Sequence, residues 1–304
     1  MSASTAPDSS GARDCPVCSA DDASALAAAG PDGHCPACGR KVPVGRDHAE
    51  LDLGLLAGVT DRGLRHSRNE DAMALATAEG PDGPVALAIV SDGVSSAPRP
   101  DEASLTAVRT AMRVLLSGAR AGEDPAVAGT AAARAGAQAL NEMADPDGSP
   151  ATTYVSATVD REVVTVCWLG DSRAYWLTED RADCARLTRD DSLAEEVVAA
   201  GLASVEEAMA SPQAHVITRW LGADHPDPQP HVARFAPPGA GVVLLCSDGL
   251  WNYRPEAADL AGLALPGALT DPLATAAGLV KFAMDMGGVD NITVVLIPFP
   301  VAAG

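Results

Sequence analysis

VALAIVSDG (residues 85–93) and, about half a chain later, VVLLCSDG (242–249) are short apolar runs that stop at the same Ser-Asp-Gly step. An apolar run of this length, bounded by turn residues, reads as a strand buried on both faces. An Asp just past such a strand stands on rigid scaffold and still reaches solvent. The Gly after it lets the backbone come close, so that its carbonyl is also available as a ligand. GGVDNITVV (287–295) supplies a third such carboxylate, Asp290, and RHSRNEDAM (65–73) adds the acidic pair Glu70 and Asp71. A lone Asp-Gly is usually only a turn. Gathered together, Asp92, Asp248, Asp290, Glu70 and Asp71 would raise one another's pKa values unless a cation stood among them. Hard oxygen donors of this kind select Mg2+ or Mn2+. Two such ions ~3.5–4 Å apart activate a water and clamp phosphate oxygens.

Around these runs the pattern predicts further strands at 53–61, 72–78, 152–160, 162–170, 172–178, 229–237 and 291–300. Helices are predicted over 101–119, 124–145, 255–265 and 271–286, and 190–212 reads as helical with breaks. In 101–119, Leu105, Val108, Met112, Leu115 and Leu116 recur at helical spacing, with Asp101 and Glu102 at the favourable N-terminal end. Pairs of helices bracketed by runs of hairpin-linked strands indicate antiparallel sheet covered by helices, an α+β arrangement, and not a parallel doubly wound fold.

The chain has 304 residues, 47% of them apolar but only 3% aromatic, so Ala, Val and Leu must build the core. Its net charge of −20 argues against nucleic-acid binding and against docking on anionic lipid. The N-terminus has no signal-like apolar region and no stretch approaches a membrane span, so a cytoplasmic protein is expected.

CPVC (15–18) and GHCPACGR (33–40) place Cys15, Cys18, Cys35 and Cys38 at the spacing C-x2-C-x16-C-x2-C. That spacing fits a tetrahedral four-thiolate site for one structural Zn2+, similar to a zinc ribbon, in a segment too short to fold on its own core. The expected division is therefore a ribbon-like segment at 1–50 and a main domain at 51–304, the ribbon acting as a structural or docking module.

TDRGLRHSRNED, IVSDG, GDSRAY, LTRDDSL, HVITRWLG, LLCSDGLW and DNITVV occur in this order between about residues 57 and 298. The series resembles the bacterial metal-dependent Ser/Thr protein phosphatases of the PPM (PP2C-type) family. The resemblance implies an α-β-β-α four-layer sandwich of two antiparallel sheets with a binuclear Mn/Mg centre between them. It also implies hydrolysis of phosphoserine and phosphothreonine by a metal-activated water. Carried over, Asp92 would bridge both ions, the Gly93 carbonyl would bind one, and Asp248 and Asp290 would hold the other. Glu70 and Asp71 would bind metal mostly through water, Asn291 would support Asp290, and Asp171 in GDSRAY would be a buried structural carboxylate off the metal.

The sequence departs from that family in several places. The phosphate-binding Arg expected five residues before Asp71 is His66, with Arg65 beside it. Val94 stands where some relatives carry a general-acid His after Gly93, the family's GTT is ATT (151–153), and Ser149 replaces the acid associated with a third metal, with Asp147 displaced from it. LTRDDSL opens the segment resembling the family's flap, which helps choose substrates. The expected function is a protein Ser/Thr phosphatase, its partners being phosphorylated proteins, a Ser/Thr kinase or that kinase's substrates. The alternatives are a non-catalytic scaffold acting through the zinc ribbon, and a metal-dependent phosphoesterase for small molecules.

Overall fold

Every long strand alternates its side chains between two hydrophobic layers, and this alternation builds the sandwich. The computed structural model describes residues 45–146, 148–224 and 228–300. The cysteine quartet Cys15, Cys18, Cys35 and Cys38, and Asp147, lie outside the described residues. The strands are β1 (His48–Asp52), β2 (Ala57–Asp61), β3 (Asp71–Gly80), β4 (Gly83–Asp92), β5 (Ala151–Thr152), β6 (Tyr154–Val159), β7 (Val164–Leu169), β8 (Arg173–Leu177), β9 (Ala185–Arg186), β10 (Leu221–Gly222), β11 (His231–Phe235), β12 (Gly241–Cys246) and β13 (Ile292–Phe299). The α-helices are α1 (Pro100–Ala121), α2 (Pro125–Met143), α3 (Leu193–Ala199), α4 (Val205–Met209), α5 (Asp248–Trp251), α6 (Ala257–Ala264) and α7 (Pro272–Asp285).

One sheet has the order β1-β2-β13-β12-β8-β9 and the other β11-β7-β6-β4-β3, with β10-β5 as a small third pair. On β12, Val243 and Leu245 face the second sheet, while Val242, Leu244 and Cys246 face α6 and α7. On β4, Ala86, Ala88 and Val90 point into the layer between the sheets, and Leu87 and Ile89 point at α1 and α2. A period of two with both faces covered gives the continuous apolar runs seen in the sequence. Trp176 anchors the middle layer, fully buried, with the Phe235 and Phe299 rings at 5.4 and 5.8 Å. Emptying such a site costs about 3–5 kcal/mol. Few aromatics are needed because the outer layer is thin: α2 buries Ala128, Gly129, Ala132, Ala133, Gly136 and Ala137. A Cβ on Gly129 would run into the Cys167 sulfur.

The antiparallel register brings particular strand ends together. Asp71 at the start of β3 lies directly opposite Asp92 at the end of β4. Cys246, the last residue of β12, pairs with Val294 near the start of β13, so Asp248 and Asp290 emerge at one end of their sheet. The repeated Ser-Asp-Gly step marks two strands, one per sheet, that finish at the same end of the sandwich.

Several expected boundaries shift; the strand expected over 152–160 breaks at Thr153 into β5 and β6, and two other shifts have a clear local cause. The strand expected over 53–61 begins only at Ala57, because a turn intervenes: the Leu53 N–H donates to the Leu56 carbonyl at 3.0 Å, and Gly54 adopts φ +75°. The second Ser-Asp-Gly step leaves its strand at Cys246, and Asp248 is the first residue of the short helix α5, behind Ser247 as its N-cap.

Candidate active site

Asp92 is fixed through its backbone before its side chain does anything. Its N–H donates to Thr153 Oγ1 at 2.9 Å, and its carbonyl accepts from the Thr152 hydroxyl and the Thr153 N–H, both at 2.8 Å. The ATT segment thus clamps the carboxylate's own peptide. The next residue must be Gly: a Cβ at Gly93 would strike the carbonyls of Pro100 and Glu70. The Gly93 N–H donates to the Glu70 carbonyl at 3.1 Å, which brings the two motifs edge to edge.

Asp71 joins the two sheets. Its Oδ2 accepts from the Ser247 hydroxyl and the Thr293 hydroxyl, each at 2.7 Å, and Ser247 Oγ in turn accepts the Thr293 N–H at 3.0 Å. Burial pushes the Asp71 carboxyl up to about 6, against the two hydroxyl bonds that pull it down. Glu70 is engaged elsewhere: Arg68 Nε donates to its Oε1 at 3.0 Å, and the Ser95 hydroxyl donates to Oε2.

Asn291 holds the loop that carries Glu70 and Asp71. Its Nδ2 donates to the Arg62 carbonyl at 2.7 Å and the Arg68 carbonyl at 3.1 Å, while its Oδ1 accepts the Glu70 N–H at 2.7 Å. Gly63 lets this loop close onto Asp290. Its φ of +71° is the left-handed conformation, and a Cβ there would collide with the Asp290 carbonyl. His66 Nε2 then lies 3.1 Å from Asp290 Oδ1, with the imidazole and the carboxylate both at the rim of the site. Arg65 is exposed next to it.

Asp248 has Oδ2 hydrogen-bonded from Asn252 Nδ2 at 3.1 Å, whereas its Oδ1 is buried with no hydrogen-bond partner. Asp92 and Asp248 are both held well above the ordinary carboxylate range. Loss of surrounding water is the first cause for each; the charges of Asp71 and Asp248 follow for Asp92, and those of Asp171 and Asp290 for Asp248. Asp171 is pushed up to about 7 by burial and then by Asp190. Its charge reaches both Asp92 and Asp248, so it stands closer to the cluster in energy than a remote capping carboxylate would.

Behind Asp171 is a network that the sequence alone did not reveal. Arg173 and Asp190 form a buried bidentate pair, with Nη2 to Oδ2 at 2.6 Å and both side chains 5% exposed. The Arg173 guanidinium sits 3.5 Å above the Trp251 ring, and Trp251 Nε1 donates to the Asp171 carbonyl at 2.9 Å. Neither the Ser247–Asp71 bond nor this stack has a local signal; both depend on which strand ends become neighbours.

Among the described residues no three His, Cys, Asp or Glu side chains form a ready-made metal-holding group. The donor chemistry nevertheless fits a hard divalent cation: mutually repelling carboxylates and an orphaned buried oxygen on Asp248. No helix among the described residues is long and apolar enough to cross a membrane.

Comparison with known proteins bears on this geometry. The family model described as protein phosphatase 2C matches residues 62–263. The serine/threonine phosphatase stp of Listeria innocua is 36% identical over 148 residues, which cover 48% of this chain and 56% of that protein. The serine/threonine protein phosphatase PstP of Mycobacterium tuberculosis is 30% identical over 248 residues, 79% of this chain and 44% of PstP. The match thus spans about half the length of these curated relatives. Among solved structures, the catalytic domain of PstP in complex with two manganese ions superposes with a TM-score of 0.63 at 26% identity, over 79% of this chain and 96% of that one.

Proposed function

The chain belongs to the protein phosphatase 2C family, and from that premise we propose that it is a protein serine/threonine phosphatase acting at a divalent-metal centre. The observation that carries this is the meeting of Asp71, Asp92, Asp248 and Asp290 at one end of the sandwich, where neighbouring carboxylate charges, that of Asp290 among them, help hold Asp71, Asp92 and Asp248 above the ordinary range beside the orphaned Asp248 Oδ1. Asp92, the Gly93 carbonyl, Asp248 and Asp290 would hold the ions, with Glu70 and Asp71 outside them. Two Mn2+ or Mg2+ ions are the fitting cofactor, in keeping with the two manganese ions of PstP. When bound, they neutralise the carboxylates and supply Lewis acidity and an activated water.

The chain's own groups do the rest. Asn291 and the Thr152–Thr153 clamp hold the carboxylates in place, so little reorganisation is needed as charge develops. Asp71 links the two sheets under the site through Ser247 and Thr293. His66 and Arg65 at the rim would orient the substrate phosphate, His66 donating from its ring while it leans on Asp290. Asp171 is the structural carboxylate of this scheme, its carbonyl fixed by Trp251.

We assign the chain from β1 (His48–Asp52), an edge strand of the first sheet, onward to the phosphatase domain, and the residues before it to a ribbon holding one structural Zn2+ through Cys15, Cys18, Cys35 and Cys38. The ribbon would dock a Ser/Thr kinase or that kinase's substrates. A cytoplasmic location agrees with the free thiols of Cys167, Cys184 and Cys246. The test is a substrate panel with saturating Mn2+: phosphothreonine peptides, nucleotides and sugar phosphates. Preferential hydrolysis of the peptides is expected; equal or better turnover of the small phosphates would replace the protein-phosphatase reading with a small-molecule phosphoesterase.

A further inference from the structure

Next to the carboxylates lies a cavity of about 450 Å3 that the chemistry above does not use. Val94, Ala97, Ala151, Trp220 and Asp224 are among its lining residues. The lining is tied to the active site. Val94 directly follows Gly93, and its N–H donates to the Ala151 carbonyl at 3.0 Å. Ala151 precedes Thr152, whose hydroxyl holds the Asp92 carbonyl at 2.8 Å. His215, also in the lining, packs its ring 5.8 Å from Trp251, the last residue of the helix that Asp248 begins. Consecutive Cα atoms are about 3.8 Å apart. A peptide with its phosphorylated residue at the carboxylates therefore presents an adjacent side chain to this cavity.

The lining defines which side chain fits. Val94, Ala97 and Ala151 offer aliphatic surface and Trp220 an indole, all suited to a methylene stem. The indole N–H of Trp220 donates to Asp224 Oδ1 at 3.3 Å, which fixes a carboxylate at the edge of the ring. Among the described residues the lining contains no Lys or Arg. The chain as a whole carries −20, so an acidic flank is repelled twice, by the protein's field and by Asp224. A cation seated over the indole and turned toward Asp224 gains both contacts. We propose that this cavity is the subsite for an arginine or lysine adjacent to the phosphorylated serine or threonine, an assignment that rests on the phosphatase reading above.

The experiment compares phosphothreonine peptides that differ only in the flanking residue, Arg, Ala or Glu on either side, by kcat/KM with Mn2+. p-Nitrophenyl phosphate, which has no flank, is assayed in parallel. The Arg peptide should exceed the Glu peptide by about tenfold, the size that one cation–π contact with a carboxylate partner supports. Asp224→Asn and Trp220→Ala should bring that ratio to within about threefold, and so should Ala97→Trp, which fills the cavity. The ratio compares two substrates on one protein, so a reduced folded fraction cancels. A wild-type enzyme that hydrolyses the three peptides equally, or a ratio that survives all three variants, overturns the subsite while leaving the phosphatase reading in place. No release from any peptide or from p-nitrophenyl phosphate overturns the phosphatase reading and the subsite with it.

Discussion

Replacing Asp71 with Asn in the metal-free protein should flatten the dependence of stability on pH. Asp71 is 2% exposed and its carboxyl is raised from 3.8 to about 6, chiefly by burial. Between those values the folded state keeps a proton that the unfolded state has released. The stability associated with the protonated carboxyl is therefore complete below about pH 4 and is lost as the pH rises through about 6. At about 1.4 kcal/mol per pH unit, the gap amounts to about 3 kcal/mol. For a domain of this size that corresponds to about 6–12 °C in Tm. Asp171, raised to about 7, extends the same downward trend to higher pH. Asp71→Asn stays uncharged throughout, so its loss of stability from pH 5 to pH 8 should be smaller than the wild type's by about 1.4 kcal/mol, the part of the gap that lies between pH 5 and about 6. The amide also meets the hydroxyls of Ser247 and Thr293, which shifts the whole curve, so the slope and not the absolute value is the readout. Urea unfolding in EDTA at several pH values measures it. Parallel curves for the two proteins would refute the reasoning.

Other outcomes follow from the same contacts. Ser247→Ala removes a donor from Asp71 and an acceptor from the Thr293 N–H, and should cost about 1–3 kcal/mol in urea unfolding. Arg173→Leu leaves Asp190 buried without its bidentate partner and should cost about 3–5 kcal/mol, with much of the loss recovered when Asp190→Leu is added. Mn2+ should raise the Tm more at pH 8 than at pH 5, because Asp71 is charged at the higher pH and bound cation then relieves its repulsion with Asp290; a calorimetric scan at both pH values checks this. Gly63→Ala forces a Cβ into the Asp290 carbonyl at a left-handed φ, and should lower both Tm and the affinity for Mn2+, the latter read by isothermal titration.

The strands at 85–92 and 242–246 were legible because both of their faces are covered, which leaves an unbroken apolar run with a sharp polar end. The two-residue strands β5, β9 and β10 were not legible, since two residues carry no period. β1 was missed because HAELD alternates no hydrophobic face and is mostly exposed. At the site, the Asp positions stood out as strand ends, but their supports did not. The two Ser-Asp-Gly steps look alike in sequence, yet Ser247 donates to Asp71 while the Ser91 hydroxyl is buried without a partner. Only the register of β3, β4, β12 and β13 makes that difference. His66 was picked out by its place in the motif; its seat on Asp290 depends on the turn at Gly63.

The most direct test of the central claim is phosphate release from a phosphothreonine peptide, followed as Mn2+ is titrated into metal-free wild type and into Asp248→Asn. If Asp92, Asp248 and Asp290 jointly hold the ions, the wild type should become active with Mn2+ and fall silent with EDTA. Asp248→Asn should then lose activity by about a hundredfold or more, the size of effect expected when an electrostatic element of catalysis is removed. Full activity in EDTA, or an Asp248→Asn variant as active as the wild type at the same Mn2+ concentration, would contradict the account.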